Sequence, residues 1–268
     1  MRGPTRPFGG LLRGWRERRR VSQLALACDA EISTKHLSFL ETGRSYPSRE
    51  MVLRLSRVLA LPLRERNELL HAAGFAAAYP ERSLNAPALA AARRAVDLVL
   101  RGLEPYPALA IDRHWTLIAA NRAVPPLLDG VDPALLEPPV NVLRLGLHPR
   151  GLAPRTRNLA TWRAHLLERL RSQIEHTGDD KLSELMRELM DHPEPPGEVE
   201  EDSLGGIAVP LVLDTPRGVL HLLSTTTVFG TPVEVTLSEL AIESFFPADA
   251  ATLELLGGGA GAARAEAT

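Results

Sequence analysis

The sequence predicts a mainly α N-terminal domain of five helices and an α+β C-terminal domain with an antiparallel sheet. Through the first 75 residues, apolar residues recur at helical spacing between capping residues and breakers. Three β-rich runs follow one another near the C-terminus, separated by turns that contain Pro and Gly. Charge divides the chain similarly, because residues 1–80 hold 14 Lys and Arg against 7 Asp and Glu, and the remainder holds 17 against 26. A basic module joined to an acidic remainder indicates a polyanionic partner for the first part alone.

The totals exclude several classes of protein. With 268 residues, 44% of them apolar, the chain can form packed cores, and global disorder is not expected. No apolar run approaches the roughly 18–20 residues of a membrane span, and the arginine-rich N-terminus lacks the apolar core of a signal peptide. The single cysteine, Cys28, allows no internal disulfide and suits a reducing cytoplasm. We expect it to fill the core as a small apolar group, with a redox switch as the alternative.

The first predicted element is a helix over Phe8–Arg20, and the segment Ser22–Gly43 follows as two short helices joined by a tight turn. Ser22 and Ser33 precede the two short helices, and the hydroxyl of each can accept a hydrogen bond from an N–H group of the first helical turn. The residues expected to face the core share helical spacing: Phe8, Leu11, Leu12 and Trp15, then Leu24, Ala27 and Cys28, then Leu37 and Leu40. The second short helix is left with a small polar outer face of Thr34, Lys35 and Ser38.

Such a face suits entry into the major groove of DNA. The segment resembles the helix-turn-helix of phage-repressor-like (xenobiotic-response-element type) regulators. Five short stretches of sequence carry the resemblance: Ser22-Gln23, Leu26-Ala27, Ile32-Ser33, Leu37-Ser38 and Glu41-Thr42-Gly43-Arg44. The resemblance implies that Arg16 and Glu41 form a buried ion pair between the first and third helices, with two solvated charges as the alternative. Glu31 stands where these motifs usually have glycine, and a positive φ there would cost about 1 kcal/mol.

The remaining elements of the first domain follow from breakers and caps. Ser48 caps a fourth helix, Pro62 breaks it, and a fifth helix over Leu63–Ala73 ends at Gly74. The fourth helix has an inner face of Met51, Val52, Leu55, Val58 and Leu59. We expect the helix-turn-helix domain to cover residues 1–80 and a linker to cover residues 81–90.

The C-terminal domain is expected over residues 91–256, with a flexible tail over 257–268. Its predicted helices are Ala88–Leu103, Asn158–Thr177 and Lys181–Met190, and the proline-rich residues 125–157 are interpreted as loops. An acidic, mobile segment is expected over Glu194–Asp202. The predicted strands are Ala108–Asp112, Ile207–Leu213, Val219–Phe229 and Val233–Phe246, the last three forming an antiparallel meander. Trp115–Asn121 is expected to form a further strand or a strand-to-helix corner.

Seven stretches of this domain resemble the sensor domain of MmyB-like transcription regulators, a PAS-like α/β domain. They are PYPALAIDRHW, AANRA, NVLRLGLHP, NLATWRAHLLERL, VPLVL, STTTVFGTP and ELAIESFFPAD. With the helix-turn-helix, the resemblance covers residues 8–255. It implies a small-molecule sensor, with an acyl chain or a carboxylic acid as the ligand class.

Residues that could carry other chemistry do not form known patterns. The eight histidines show no metal-ligand spacing, and no nucleophile elbow, Walker loop or dinucleotide fingerprint is present, so we expect no metal, cofactor or enzyme activity. For a ligand pocket, Trp115 and Trp162 are the candidate walls, and Asn121 or Arg163 is the candidate anchor for a head group. The alternative makes the tryptophans core residues, Asn121 a helix cap, and Arg163 a surface or ion-pair residue.

We therefore expect a cytoplasmic bacterial transcription regulator that binds operator DNA as a homodimer and is tuned by a small apolar ligand. We expect contacts with base edges from Thr34, Lys35 and Ser38. We expect contacts with backbone phosphates from Gln23, Arg44 and Ser45, and we assign Ser33 to the same DNA-binding surface. Phe39, which can face the core or a thymine methyl, and His36 are left open. Two alternatives remain: an adaptor whose helix-turn-helix docks a partner protein, and a constitutive DNA binder with a ligand-free structural C-terminal domain.

Overall fold

The computed structural model describes residues 7–84, 86–197, 209–230 and 234–257. The expectations for residues 198–202, for Ile207, for Val233 and for the tail from residue 258 onward lie outside these ranges. The chain divides into two compact units: residues 1–83 with 175–177 and 231–238, and the rest of the chain. The predicted fold class is confirmed, since a helical N-terminal part is followed by helices and an antiparallel sheet of five strands.

The N-terminal helices are α1 (Phe8–Arg18), α2 (Gln23–Asp29), α3 (Thr34–Glu41), α4 (Arg49–Val58) and α5 (Leu63–Ala72). The predicted serine caps are confirmed, because the hydroxyls of Ser22, Ser33 and Ser48 each accept a hydrogen bond of 3.1 Å from the backbone N–H three residues on. The core of this unit contains the fully buried leucines Leu12, Leu26, Leu37, Leu40, Leu55, Leu61, Leu69 and Leu70.

The predicted apolar stripe of α2 is wrong at two positions. Leu24 is 69% exposed and Cys28 is also exposed, so Cys28 does not fill the core. The buried residues of the helix are instead Leu26 and Ala27. A helix of seven residues is short enough that spacing alone fits two overlapping stripes, and packing against α3 and α4 decides between them.

The connection between α2 and α3 contains the positive φ that the sequence left open at Glu31. Glu31 has φ of +55°, the left-handed region in which a non-glycine residue costs roughly 1–2 kcal/mol. The Ile32 N–H donates to Ala27 O at 2.9 Å and the Glu31 N–H to Cys28 O at 3.0 Å, so two carbonyls at the end of α2 are paired. These hydrogen bonds offset the strain and set the direction in which α3 leaves the turn.

The second unit contains α6 (Ala90–Gly102), α7 (Val142–Leu147), α8 (Leu159–Thr177), α9 (Asp180–Met190) and α11 (Ala250–Leu255); α10 (Val235–Ser238) groups with the first unit. Its strands are β1 (Ala108–Ile111), β2 (Leu117–Ala120), β3 (Pro210–Thr215), β4 (Gly218–Val228) and β5 (Ala241–Pro247). They form one antiparallel sheet in the order β2-β1-β5-β4-β3, with Ala110 opposite Ile242 and Leu213 opposite Leu220.

Two sequence predictions for the C-terminal domain need correction. The strand predicted over Val233–Phe246 is two elements in its described part, because α10 precedes β5 and a turn at Glu239 separates them. The segment 125–157 is also more ordered than loops, since it contains α7 and three short 3₁₀ helices. Asn141 explains α7, because its side-chain oxygen accepts from the N–H groups of Leu143 and Arg144, each at 3.1 Å.

Two hydrophobic clusters fill the second unit. The larger joins α8 and α9 to β3 and β4 and includes Trp115, Trp162, Leu166 and Leu170. The smaller joins α6 to β1 and β5 through Val96, Leu100, Ala110 and Ile242. No helix among the described residues is long and apolar enough to cross a membrane.

Candidate nucleic-acid interface and ligand cavity

The outer face of α3 carries the residues assigned to base edges. Thr34 and Lys35 are exposed and Ser38 is half-buried. Beside them, the ring of Phe39 lies within 5.7 Å of Lys35 Nζ and within 5.9 Å of Arg44 Cζ. Two cations at one aromatic ring define a compact surface of Lys35, Phe39 and Arg44, which can meet a negatively charged partner.

Arg44 and Ser45 are brought to this surface by the turn that ends α3. Gly43 has φ of +73°, and the N–H groups of Arg44 and Ser45 donate to Phe39 O at 2.8 and 3.1 Å. The loop therefore folds back onto the last turn of α3, with Arg44 exposed and Ser45 half-buried.

A buried charged network holds α3 against α1 and α2. Arg16 Nε donates to Glu41 Oε1 at 2.6 Å and Arg16 Nη2 to Glu41 Oε2 at 3.1 Å, and the two residues are 9% and 7% exposed. Gln23 Nε2 donates to the same carboxylate at 2.7 Å, and Arg16 Nη1 donates to Val21 O at 3.0 Å. The hydrogen bond that Arg16 donates to Glu41 raises the pKa of the Arg16 guanidinium, although burial opposes it. The geometry is that of the ion pair implied by the resemblance.

Gln23, which was assigned to a phosphate, is thus part of the support of α3. An amide nitrogen carries two hydrogens, so the bond to Glu41 leaves the second able to donate to a phosphate. Ser33 is occupied in a similar way, because its hydroxyl accepts from the His36 N–H, while its exposed position keeps it on the same surface.

A cavity of about 100 Å³ lies inside the second unit. Both tryptophans assigned to the pocket wall contribute to its lining, together with leucines of α7, α8 and the sheet. The polar side chains among the lining residues are Ser224, Arg169 and Glu243. The cavity is therefore an apolar chamber with a single polar wall among the described residues.

Arg169 and Glu243 form a compact ion pair at that wall. Arg169 Nη2 lies 2.6 Å from Glu243 Oε1 and Arg169 Nη1 lies 3.2 Å from Glu243 Oε2. The Thr226 hydroxyl accepts from Arg169 Nη2 and donates to Glu243 Oε1, each at 2.8 Å. Glu243 is only 4% exposed, so this carboxylate is taken out of water, whereas the side chain of Arg169 is 25% exposed.

Trp115 is held in a strained position between the cavity and this ion pair. Its φ is +64°, which is rare for a bulky residue. The Arg169 guanidinium carbon lies 4.9 Å from its ring centre, and its indole N–H donates to Gln173 Oε1 at 2.8 Å. These contacts fix the ring as a wall of the cavity despite the backbone cost.

The two proposed anchors lie elsewhere. Asn121 is 5% exposed, and its amide bonds the backbone of Leu100, Tyr106, Ala108 and Ala123, so it joins the end of α6 to β1 rather than lining the cavity. Arg163 Nη2 donates to Leu189 O at 3.2 Å, at the end of α9. Its Nε is buried and has no hydrogen-bond partner among the described residues.

Sequence reasoning missed Arg169 and Glu243, although each carries a weak signal. Arg169 lies seven residues after Trp162 and three after Leu166, which places a charge on the apolar stripe of α8. Glu243 occupies the same strand face as Phe245, which also lines the cavity. A charged residue at a position that periodicity assigns to the core was the available signal.

His165 is the titratable neighbour of the pair. Burial, followed by the charge of Arg169, lowers the pKa of this histidine, and Glu243 opposes the shift. Its ring lies 5.5 Å from that of Trp162. No group of three metal-ligating side chains is found among the residues that the structure describes.

Comparison with known protein families gives two matches. The model of the MmyB-like transcription regulator ligand-binding domain matches residues 92–257, and a helix-turn-helix domain model matches residues 7–69. A search of curated proteins gives no match. Both matched families are regulatory rather than enzymatic.

Proposed function

This chain belongs to the family of MmyB-like transcription regulators and joins a DNA-binding helix-turn-helix to a ligand-binding domain; from that premise we propose how it works. It binds operator DNA as a homodimer, with α3 in the major groove. A small ligand in the cavity of the second unit changes the operator affinity.

The observation that carries the DNA part is the polar and cationic outer face of α3. Lys35 can donate to guanine O6 or N7, and the hydroxyls of Thr34 and Ser38 can contact any base. Arg44 and Ser45 lie beside this face and suit phosphate contacts, with Gln23 and Ser33 at its edge. The network around Glu41 supports the proposal because it holds α3 in one orientation before DNA arrives.

The size of the recognition helix supports the proposed dimer. Eight residues of α-helix are about 12 Å long, so one α3 covers only a few base pairs. Two copies that present α3 about 34–36 Å apart would reach successive major grooves and double the number of bases contacted.

The ligand part is supported by the cavity. A cavity lined mainly by leucines and tryptophans favours apolar ligands. An acyl chain, the class implied by the resemblance, has the required apolar character. A ligand that prefers one arrangement of the dimer shifts DNA affinity by at most its differential affinity for the two arrangements, commonly 1–3 kcal/mol.

The adaptor alternative is disfavoured by charge, because the first 80 residues carry twice as many basic as acidic side chains. The constitutive binder is disfavoured by the cavity, since a purely structural domain gains stability when such a space is filled.

Salt dependence tests the DNA part. We expect the logarithm of the affinity for an operator, obtained by selection from genomic fragments, to fall linearly with the logarithm of salt concentration, because basic side chains displace counterions from phosphates. Fluorescence anisotropy with a scrambled duplex as control measures it, and sedimentation should give two chains per operator. A flat salt response without duplex binding would support the adaptor instead.

A further inference from the structure

Glu243 is a carboxylate inside a ligand cavity that is otherwise apolar apart from its ion-pair partner and Ser224, among the residues that the structure describes. Arg169, the cation at this wall, is engaged on both terminal nitrogens by that carboxylate, and Nη2 also donates to Thr226. The pair is electrically neutral as it stands. An anionic head group that enters the cavity would therefore have to share the Arg169 guanidinium with the buried carboxylate of Glu243.

Burial makes this arrangement unfavourable for an anion. Glu243 is 4% exposed, and like charges in a site of low dielectric repel one another much more strongly than in water. His165 does not compensate, because burial and the charge of Arg169 lower its pKa and so disfavour the imidazolium form. A second cation beside Arg169 is disfavoured by the same reasoning.

The same wall can still accept a hydrogen bond. A carboxylate offers about four acceptor positions. Arg169 and Thr226 both donate to Glu243 Oε1, whereas Oε2 receives the longer contact of 3.2 Å from Arg169 Nη1. Oε2 therefore has capacity for an O–H or N–H group that enters along the apolar walls.

We infer that this cavity selects a small uncharged ligand that has a hydrogen-bond donor, such as an amide or an alcohol with a short apolar tail, and that Glu243 excludes the corresponding carboxylate. The inference rests on the proposed ligand-binding function and specifies its ligand class. Size follows from the volume, since the cavity of about 100 Å³ is smaller than an apolar cavity of about 150 Å³ that holds benzene.

Butanamide and butanoate test this inference because they have nearly the same shape and differ in charge. Both are titrated into the full-length protein at neutral pH, and binding is followed by the fluorescence of Trp115 and Trp162, which line the cavity. We expect butanamide to bind at least tenfold more tightly than butanoate. The variant E243Q keeps the side-chain shape, removes the negative charge and leaves Arg169 unneutralised, so butanoate should gain at least tenfold and the preference should reverse.

Ser224→Ala is the matched control, since it removes a polar group from the same cavity without changing its charge. It should keep the preference of the wild type. If circular dichroism shows that E243Q does not fold, the comparison of butanamide with butanoate on the wild-type protein still tests the preference for an uncharged ligand. Butanoate binding as tightly as butanamide would overturn the inference while leaving ligand binding intact. Absence of binding by both probes would overturn the proposed ligand function as well.

Discussion

At the scale of single residues, Phe39 is the residue for which the sequence left two environments open, the core or a thymine methyl. Its ring is half-buried on α3 and is contacted by Lys35 and Arg44, the two cations expected to meet DNA in different ways. An aromatic ring orients such side chains, which reduces the side-chain entropy lost when they bind. The residue proposed to read a base and the residue proposed to contact a phosphate are therefore adjacent, and mutation can test them separately.

Replacing Lys35 or Arg44 by alanine should weaken operator binding in two distinguishable ways. Lys35→Ala should cost about 1–3 kcal/mol and relax preference at one base position, because a base contact is lost. Arg44→Ala should weaken binding to all sequences alike and reduce the salt slope by about one, because a phosphate contact is lost. Binding selections on randomised operators and salt titrations measure the two effects.

Arg94→Ala on α6 is the control for this pair, since it removes an exposed arginine of the second unit. It should leave both the specificity profile and the salt slope unchanged. Identical profiles for Lys35→Ala and Arg44→Ala would show that the two roles are wrongly assigned.

His165 should make the stability of the second unit depend on pH. Its pKa is lowered in the folded state, chiefly by burial and then by Arg169 of the same helix, with Glu243 of β5 opposing. The unfolded chain therefore binds the proton more readily, with an unperturbed pKa of about 6.5. The contribution of His165 to stability is complete above that pKa and is lost as the pH falls through it toward the folded value.

His165→Gln should remove this part of the pH dependence. Urea unfolding of wild type and variant at several pH values between 5 and 8, a range bracketing the unperturbed pKa of about 6.5, measures the difference. The two proteins should diverge only on the acidic side. A constant offset across the whole range would mean that His165 acts through packing alone.

At the scale of elements, α1 and α3 approach each other closely enough to require glycine. A Cβ at Gly9 would lie 2.4 Å from Glu41 O and 2.5 Å from Leu40 O, which is shorter than any tolerated contact. The same two helices share the Arg16–Glu41 pair. Close backbone contact and a buried charge pair together hold α3 against α1.

Removing one partner of the Arg16–Glu41 pair should lower the free energy of unfolding far more than replacing both partners by apolar residues. Arg16→Met or Glu41→Leu alone leaves a buried charge without its partner and should destabilise by about 3–5 kcal/mol. The double variant should recover much of this loss, because two apolar side chains need no compensation. The midpoints of urea unfolding of the two single variants and the double variant measure these differences in stability.

The exposed pair Arg13–Glu17 on α1 supplies a matched control. Its nitrogen–oxygen distance of 2.7 Å is similar, but its side chains are 63% and 52% exposed. Replacing Arg13 by alanine should leave the midpoint unchanged, because solvent screens surface pairs. Single Arg16 and Glu41 variants that behave like this control would contradict the buried-pair interpretation.

At the scale of the whole molecule, the proposed function predicts that filling the cavity changes the response of DNA affinity to a ligand. Gly146 of α7 lines it, and a Cβ at this position would meet no atom within 4 Å. The backbone there is helical, so a larger residue can be introduced without strain from the main chain.

Gly146→Leu should occupy the cavity and uncouple DNA binding from ligand. The variant should keep its stability, because leucine favours a helix over glycine and buries apolar surface. Its operator affinity should no longer respond to apolar ligands that change the affinity of the wild type. Gly102→Leu, also in open space but on α6, should respond as the wild type does. A variant Gly146→Leu that still responds would place the ligand elsewhere.

Local chemistry in the sequence determined much of the fold. Ser22, Ser33 and Ser48 begin helices because their hydroxyls satisfy first-turn N–H groups, a property of the residue and its immediate neighbours. Leu37 and Leu40 are buried as their spacing predicted, and turn residues placed the antiparallel pair β3–β4. The split of charge also indicated a basic module before any contact was known.

Tertiary structure alone decided what depends on distant parts of the chain. Cys28 is exposed because a seven-residue helix fits two apolar stripes and packing selects one. Arg169 and Glu243 are 74 residues apart, and periodicity cannot indicate that α8 brings one against β5 to pair with the other. Asn121 and Arg163 are likewise engaged by backbone carbonyls of remote segments, which no local pattern encodes. Local propensity sets where elements begin and end, whereas pairing across the sheet and between helices sets which polar residues face the cavity.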